Sequence, residues 1–231
     1  RRYGFHGTSH SYVSRRTAAL LGRPYEQTNL ISLHLGNGAS ACAVAGGRSV
    51  ATSMGMSPLE GLVMGTRSGD LDPAVSLHLQ RAGGLSVDEV DRLLNQRSGL
   101  YGLCGANDMR EVLRRRAEGD ADADLAFEMY CRRVRGYVGA YYALLGRVDA
   151  IVFTAGVGEN APAVRSAALA GLDRLGIVVD PERNEAQRDE RGCLLISPPD
   201  AEVAVWVVAT DEELEIARQT ADLLVRSGRI A

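Results

Sequence analysis

Asp149-Ala150-Ile151-Val152-Phe153-Thr154 is followed directly by Ala155-Gly156-Val157-Gly158-Glu159-Asn160, and a helix resumes at Pro162. The first six residues are nearly all apolar, which is the pattern of a strand covered on both faces. A strand that breaks at glycines and re-enters a helix leaves room for phosphate or ribose against a helix N-terminus. Two further apolar runs, Cys193–Ser197 and Val203–Ala209, read as strands, and the chain closes with a helix from Asp211 to about Arg226.

Upstream, Ser9 to Leu21 reads as a helix, with Gly22 suited to its C-cap and Pro24 preventing continuation. Asn29–Leu35 is strand-like and stops at Gly36-Asn37-Gly38; Ser40–Val44 and Ser49–Ser53 continue as a meander around Gly46-Gly47. Gly55, Gly61, Gly65 and Gly69 mark a long ordered loop with short helical pieces. Pro73 to Arg147 turns helical. A capping box at Ser86–Glu89 opens a helix ending near Ser98-Gly99. A longer helix spans roughly Leu125–Leu145, with Tyr130, Val134, Tyr137, Val138, Tyr141 and Leu145 on one face. Strands followed by helices after an initial meander predict an α/β layered domain with a mixed sheet.

The 231 residues are 45% hydrophobic and 24% charged, ordinary values for a globular protein with a real core. A net charge of −3 offers no basic field for nucleic acid, and no apolar run approaches the roughly 20 residues of a membrane helix. The opening Arg1-Arg2-Tyr3-Gly4-Phe5-His6 lacks a signal peptide's apolar stretch and reads as an internal part of a longer protein. Cys42, Cys104, Cys131 and Cys193 lie far apart without a CxxC pair, which speaks against a disulfide framework or zinc site and for a reducing cytoplasm.

Several segments could carry chemistry. Gly36-Asn37-Gly38 lets backbone N–H groups approach an anion, although a plain type I′ hairpin accounts for it equally. At Gly156-Val157-Gly158-Glu159-Asn160 a dehydrogenase fingerprint would need glycine at Ala161, and the chain has no P-loop lysine motif, so any nucleotide site belongs to neither class. Arg67, set among small residues, suits a transferring phosphoryl group or a surface ion pair. His6 is structural or catalytic on the same grounds. Thr210 and Glu213 form a capping box for the last helix, leaving Asp211 and Glu212 free at the end of a strand, where open α/β sheets place ligand groups.

Taken together, YGFHGTSH (Tyr3–His10), HLGNGAS (His34–Ser40), TSMGMSPLEGLVMGTRSGDLDP (Thr52–Pro73), Asp108-Met109-Arg110, FTAGVGEN (Phe153–Asn160) and TDEEL (Thr210–Leu214) resemble the acetate kinase (acetokinase) family, in family order and over nearly the whole chain. The resemblance implies a ribonuclease H-like, actin-like ATPase domain over residues 1–231, with a helical insertion at about 74–147. It implies reversible, Mg²⁺-dependent phosphoryl transfer from ATP to acetate, giving acetyl phosphate and ADP; propionate or butyrate kinase is the alternative. His6 and Arg67 match residues of transition-state stabilisation, with His6 acting as imidazolium or N–H donor. His34, Leu35, Gly36, Asn37 and Gly38 match the ATP phosphate loop, Asp108, Met109 and Arg110 a segment near the adenosine, and Gly156–Asn160 the adenosine loop. Glu212 matches the magnesium glutamate. A cytoplasmic homodimer through this domain is also implied. Asp211 stands where asparagine is common and Met56 where an aromatic is common. The family's N-terminal half, with its substrate arginine and essential aspartate, has no counterpart here. The expected consequences are an ATP-binding but inactive chain and a last helix, 211–226, whose Leu214, Ala217, Ala221 and Leu224 lack full cover.

Overall fold

The computed structural model describes residues 2–227; Arg1 and the last four residues, the two ends of the expected 1–231 domain, lie outside them. Its centre is a six-stranded mixed sheet. The strands are β1 (Asn29–Leu35), β2 (Ala39–Ala45), β3 (Arg48–Thr52), β4 (Ala150–Thr154), β5 (Cys193–Leu195) and β6 (Ala204–Val208), arranged in the order β3-β2-β1-β4-β6-β5. β1, β4 and β6 run parallel, whereas β2, β3 and β5 pair antiparallel with their neighbours. The C-terminal ends of the three parallel strands therefore share one edge, the edge where such sheets place ligands.

Period-two alternation decides what each face carries. Ile31, Leu33, Leu35, Ile151 and Phe153 face the main core, which they share with α6 (Ala121–Leu145) and α8 (Pro162–Leu169). Leu30, Ala150 and Val152 face the opposite side, where Tyr12 and Val13 of α1 (Gly7–Leu20) pack. β4 is buried at all five positions, as its composition requires. The long connection from β3 to β4 carries α2 (Pro73–Arg81), α3 (Val87–Gln96), α4 (Gly99–Cys104), α5 (Met109–Ala117) and α6. The capping box at Ser86 and Glu89 is formed. α6 begins four residues before the predicted start because Asp120 caps it, accepting from the amides of Asp122 and Ala123.

Other local expectations are corrected. The glycine-rich stretch between β3 and α2 contains no helical piece. Its glycines are there for close approach: a methyl group at Gly65 would lie 1.9 Å from Asn37 Oδ1. Gly36–Gly38 is not a type I′ turn, since neither glycine has positive φ; it is a three-residue loop closed by a bond from Gly36 N to Gly38 O (3.0 Å). Residues after β4 do not break into a loop but form a short helix, α7 (Ala155–Asn160), entered through Ala155 at φ 64°. The last helix, α10 (Glu212–Arg226), is capped by Asp211 through Leu214 N, while Thr210 bonds Ser9 instead, so no Thr210–Glu213 box exists. Asp211 is thus not free. α10 leans on α1, and Leu214, Ala217 and Ala221 are exposed while Leu224 is half-buried; Ile216 and Leu223 are 56% and 67% exposed. All four cysteines are buried free thiols, and no helix among the described residues is long and apolar enough to cross a membrane.

Candidate functional site

Three segments distant in sequence meet at the shared strand edge. A hollow of about 650 Å³ is lined by Gly36 and Asn37 after β1, by Asn107, Asp108, Met109 and Arg110 at the start of α5, and by Gly156, Val157 and Asn160 of α7. Leu100, Leu113, Tyr130 and Ala161 complete its wall. Asp108 caps α5 through the amide of Arg110 and pairs with its guanidinium, which otherwise projects into solvent. Met109 is buried in the main core as well as lining the hollow.

The backbone of α7 is held from behind. Arg165, only 2% exposed, donates from Nη1 to the carbonyls of Gly158 and Glu159 (3.1 Å each) and from Nε and Nη2 to Asn184. Burial without a carboxylate in contact pulls its pKa down to about 10. Glu159 Oε1 accepts from the amide of Ala155 (2.9 Å) and of Thr210 (3.3 Å), tying α7 to the end of β6. Ala155 sits in left-handed backbone space, as does His6 at φ 58°, and such strain persists only where the surroundings impose it.

His6 and Arg67 flank the same glycine. A methyl group on Gly38 would lie 3.4 Å from Arg67 Nη2 and 3.6 Å from His6 Nε2. Arg67 Nη1 donates to Pro58 O (2.8 Å), and no carboxylate pairs with it among the described residues. The alternative of a surface ion pair thus finds no carboxylate among the described residues, and the charge of Arg67 remains available. His6 stacks on His34 with ring centroids 4.1 Å apart. Its pKa is lowered, first by burial and then by Arg67. Burial likewise brings His34 to about 4 and His10 to about 3, each helped by neighbouring histidines. For His6, burial and Arg67 both disfavour the imidazolium form and favour the N–H donor.

Of the sequence-predicted site residues, Gly36, Asn37, Asp108, Met109, Arg110, Gly156, Val157 and Asn160 line one hollow, with Gly38, His6 and Arg67 grouped beside the same loop. Leu35 points its side chain into the core, because it follows the alternation of Ile31 and Leu33. Gly158, Glu159, His34 and Glu212 are not on the lining; Gly158 packs on Phe153, and Glu212 is exposed in the first turn of α10. Sequence reasoning missed Tyr130, whose buried hydroxyl has no partner among the described residues, and the hydrogen bonds that join Ser32, His10 and Ser40 to His6 and Ser9 to His34. His10 and Ser40 lay inside quoted motifs, but their role depends on which strand face meets α1.

A profile of the acetokinase family matches residues 1–218. The chain belongs to the acetokinase family. It is 69% identical over 220 residues to an acetate kinase of Streptomyces avermitilis, covering 95% of this chain and 54% of the relative. An acetate kinase of Syntrophobacter fumaroxidans is 58% identical over 228 residues, covering 99% and 55%. Among solved structures, Porphyromonas gingivalis acetate kinase matches with TM-score 0.93 at 46% identity, over 97% of this chain and 56% of that one. A propionate kinase of Francisella tularensis matches with TM-score 0.87 at 44% identity, over 94% and 54%. The mixed sheet flanked by helices is the actin-like ATPase arrangement of this acetokinase domain. The chain spans about half the length of the relatives it matches.

Proposed function

We propose that this acetokinase chain is the nucleotide side of a phosphotransferase that moves the ATP γ-phosphoryl reversibly to acetate, forming acetyl phosphate and ADP. The observation that carries the reading is the convergence of three segments on one hollow, with Gly38 facing Arg67 and His6 beside it. A volume of about 650 Å³ lies in the range of small-molecule sites. The apolar wall of Leu100, Leu113, Val157 and Ala161 suits a purine face, and the unpartnered Tyr130 hydroxyl suits a polar atom of a ligand. Arg67 supplies permanent charge and His6 a neutral donor toward the space at Gly38, where phosphoryl oxygens gain charge during transfer. Losing one such contact costs about 3 kcal/mol, roughly a hundredfold in rate.

No group of three or more His, Cys, Asp or Glu is arranged for a metal among the described residues. Mg²⁺ favours one or two carboxylates plus substrate phosphates and water, so a single exposed carboxylate, Glu212, fits it where a closed cage would not. When bound, Mg²⁺ neutralises phosphate charge. The cytoplasmic homodimer belongs to the same proposal, and so does cover for the exposed face of α10 by the remainder of a longer protein. Acetate is the acceptor because the relatives at 58–69% identity are acetate kinases; propionate is the second reading, favoured by the likeness to the propionate kinase structure.

Calorimetric titration of the chain with ATP and ADP tests the nucleotide half of this reading. Weak, saturable binding is expected, and heat that does not saturate would overturn it. In a coupled ADP assay at high acetate, the chain alone is expected to form no acetyl phosphate. Turnover at ordinary kinase rates, about 1–100 per second, would refute the half-site assignment.

A further inference from the structure

We propose that Ser32, His10 and Ser40 act as positioning residues, a one-way hydrogen-bond relay that holds His6 as its Nε2–H tautomer with that donor turned toward Gly38. The relay follows from the alternation of β1. Ser32 and His34 share the face on which α1 packs, and Ser40 lies opposite His34 in the register of β1 and β2. α1 and the residue that caps it bring His6, Ser9 and His10 onto that face.

The direction of the relay is decided at its closed end. Ser32 Oγ is fully buried and has one partner among the described residues, His10 Nδ1 at 2.8 Å. Its hydroxyl hydrogen can go only there, because the reverse arrangement leaves a buried donor without an acceptor. A neutral imidazole accepts at one nitrogen and donates from the other. His10 therefore carries its hydrogen on Nε2 and donates to Ser40 Oγ (2.8 Å). Ser40 is left to donate to His6 Nδ1 (2.9 Å), and His6 keeps its hydrogen on Nε2, which lies 3.6 Å from where a methyl group on Gly38 would sit. A second chain has the same polarity: Thr210 Oγ1 donates to Ser9 Oγ (2.9 Å), and Ser9 in turn donates to His34 Nδ1 (2.9 Å). The two stacked rings thus both present Nε2–H, His6 beside Gly38 and His34 beside Gly36.

The consequence for chemistry rests on the phosphoryl-transfer reading. An anionic phosphoryl group needs a donor here, and a bare imidazole lone pair would repel it. Burial and Arg67 both disfavour a second proton on His6, so the tautomer decides whether the ring helps.

Histidine tautomers are read directly from long-range ¹H–¹⁵N correlation spectra of the ¹⁵N-histidine-labelled chain at pH 7.5, without ligand. His6, His10 and His34 are each expected as a single Nε2–H form. In Ser40→Ala the two ring nitrogens of His6 should converge toward averaged shifts while His34 stays unchanged, and Ser40→Thr, which keeps the hydroxyl, should restore the one-sided pattern. An Nδ1–H or imidazolium His6 in the parent chain, or an unaltered His6 in Ser40→Ala, overturns the proposal. Should Ser40→Ala not fold, the parent spectrum and Ser32→Ala decide, since the latter must release His10 from its single tautomer. Failure of nucleotide binding would sink the kinase reading and leave this result standing.

Discussion

Replacing His10 with glutamine removes a buried base that the fold keeps neutral, and the structure sets the size of the resulting change in acid sensitivity. Burial holds His10 at about 3 in the folded chain, against an ordinary value of 6.5. The unfolded chain therefore binds one more proton between those values, and linkage makes stability fall as pH falls through this window. The contribution is fully present above about 6.5 and is lost progressively toward about 3. At pH 5.5 one such histidine costs about 1–2 kcal/mol relative to pH 7.5. His34, held at about 4, adds a similar amount, so the pair removes about 3 kcal/mol from a total typically of 5–15. Urea unfolding of the chain at pH 7.5, 6.5 and 5.5 measures this. His10→Gln is expected to be less stable at pH 7.5, because Ser32 and Ser40 lose well-placed partners, yet its stability should fall by about 1–2 kcal/mol less between pH 7.5 and 5.5. Identical pH slopes for parent and variant would show that His10 is protonated in the folded chain, and the reasoning would fail.

Arg165→Met should destabilise the chain by about 3 kcal/mol, since it leaves the Gly158 carbonyl and Asn184 without their donor, while the Glu159 carbonyl keeps Arg188; urea midpoints check it, and a loss below about 1 kcal/mol would contradict the clamp. Gly65→Ala should cost about 1–3 kcal/mol and weaken nucleotide binding, because its Cβ would displace Asn37 from the wall of the hollow; a thermal melt and titration read both effects. Tyr130→Phe removes an unpartnered buried hydroxyl and should leave the unliganded chain equally stable or about 1 kcal/mol more stable, measured by the same melt.

Much of the fold was legible along the chain because the signals are local. β1 spans Asn29–Leu35, the strand-like stretch that ends at the glycine loop, and the all-buried β4 follows from its nearly all-apolar composition. Misreadings arose where a distant group overrides a local preference. Gly156–Asn160 looks like a loop by its glycines, yet Arg165 and Glu159 bind its backbone into a helix. Thr210 has the makings of a cap, but Ser9, more than two hundred positions away, takes its hydroxyl.

The sequence by itself determined the strands, the helical connection between β3 and β4 and the acetokinase motifs, because composition and spacing along the backbone carry these, and the resemblance of those motifs pointed to part of the wall of the hollow. Only the tertiary structure decided that burial and Arg67 lower the pKa of His6, that Arg67 has no carboxylate partner among the described residues, and that hydroxyls and imidazoles join into two hydrogen-bonded chains. Charge state and tautomer depend on which groups share a buried volume. That volume exists only once α1 is laid across β1 and β2.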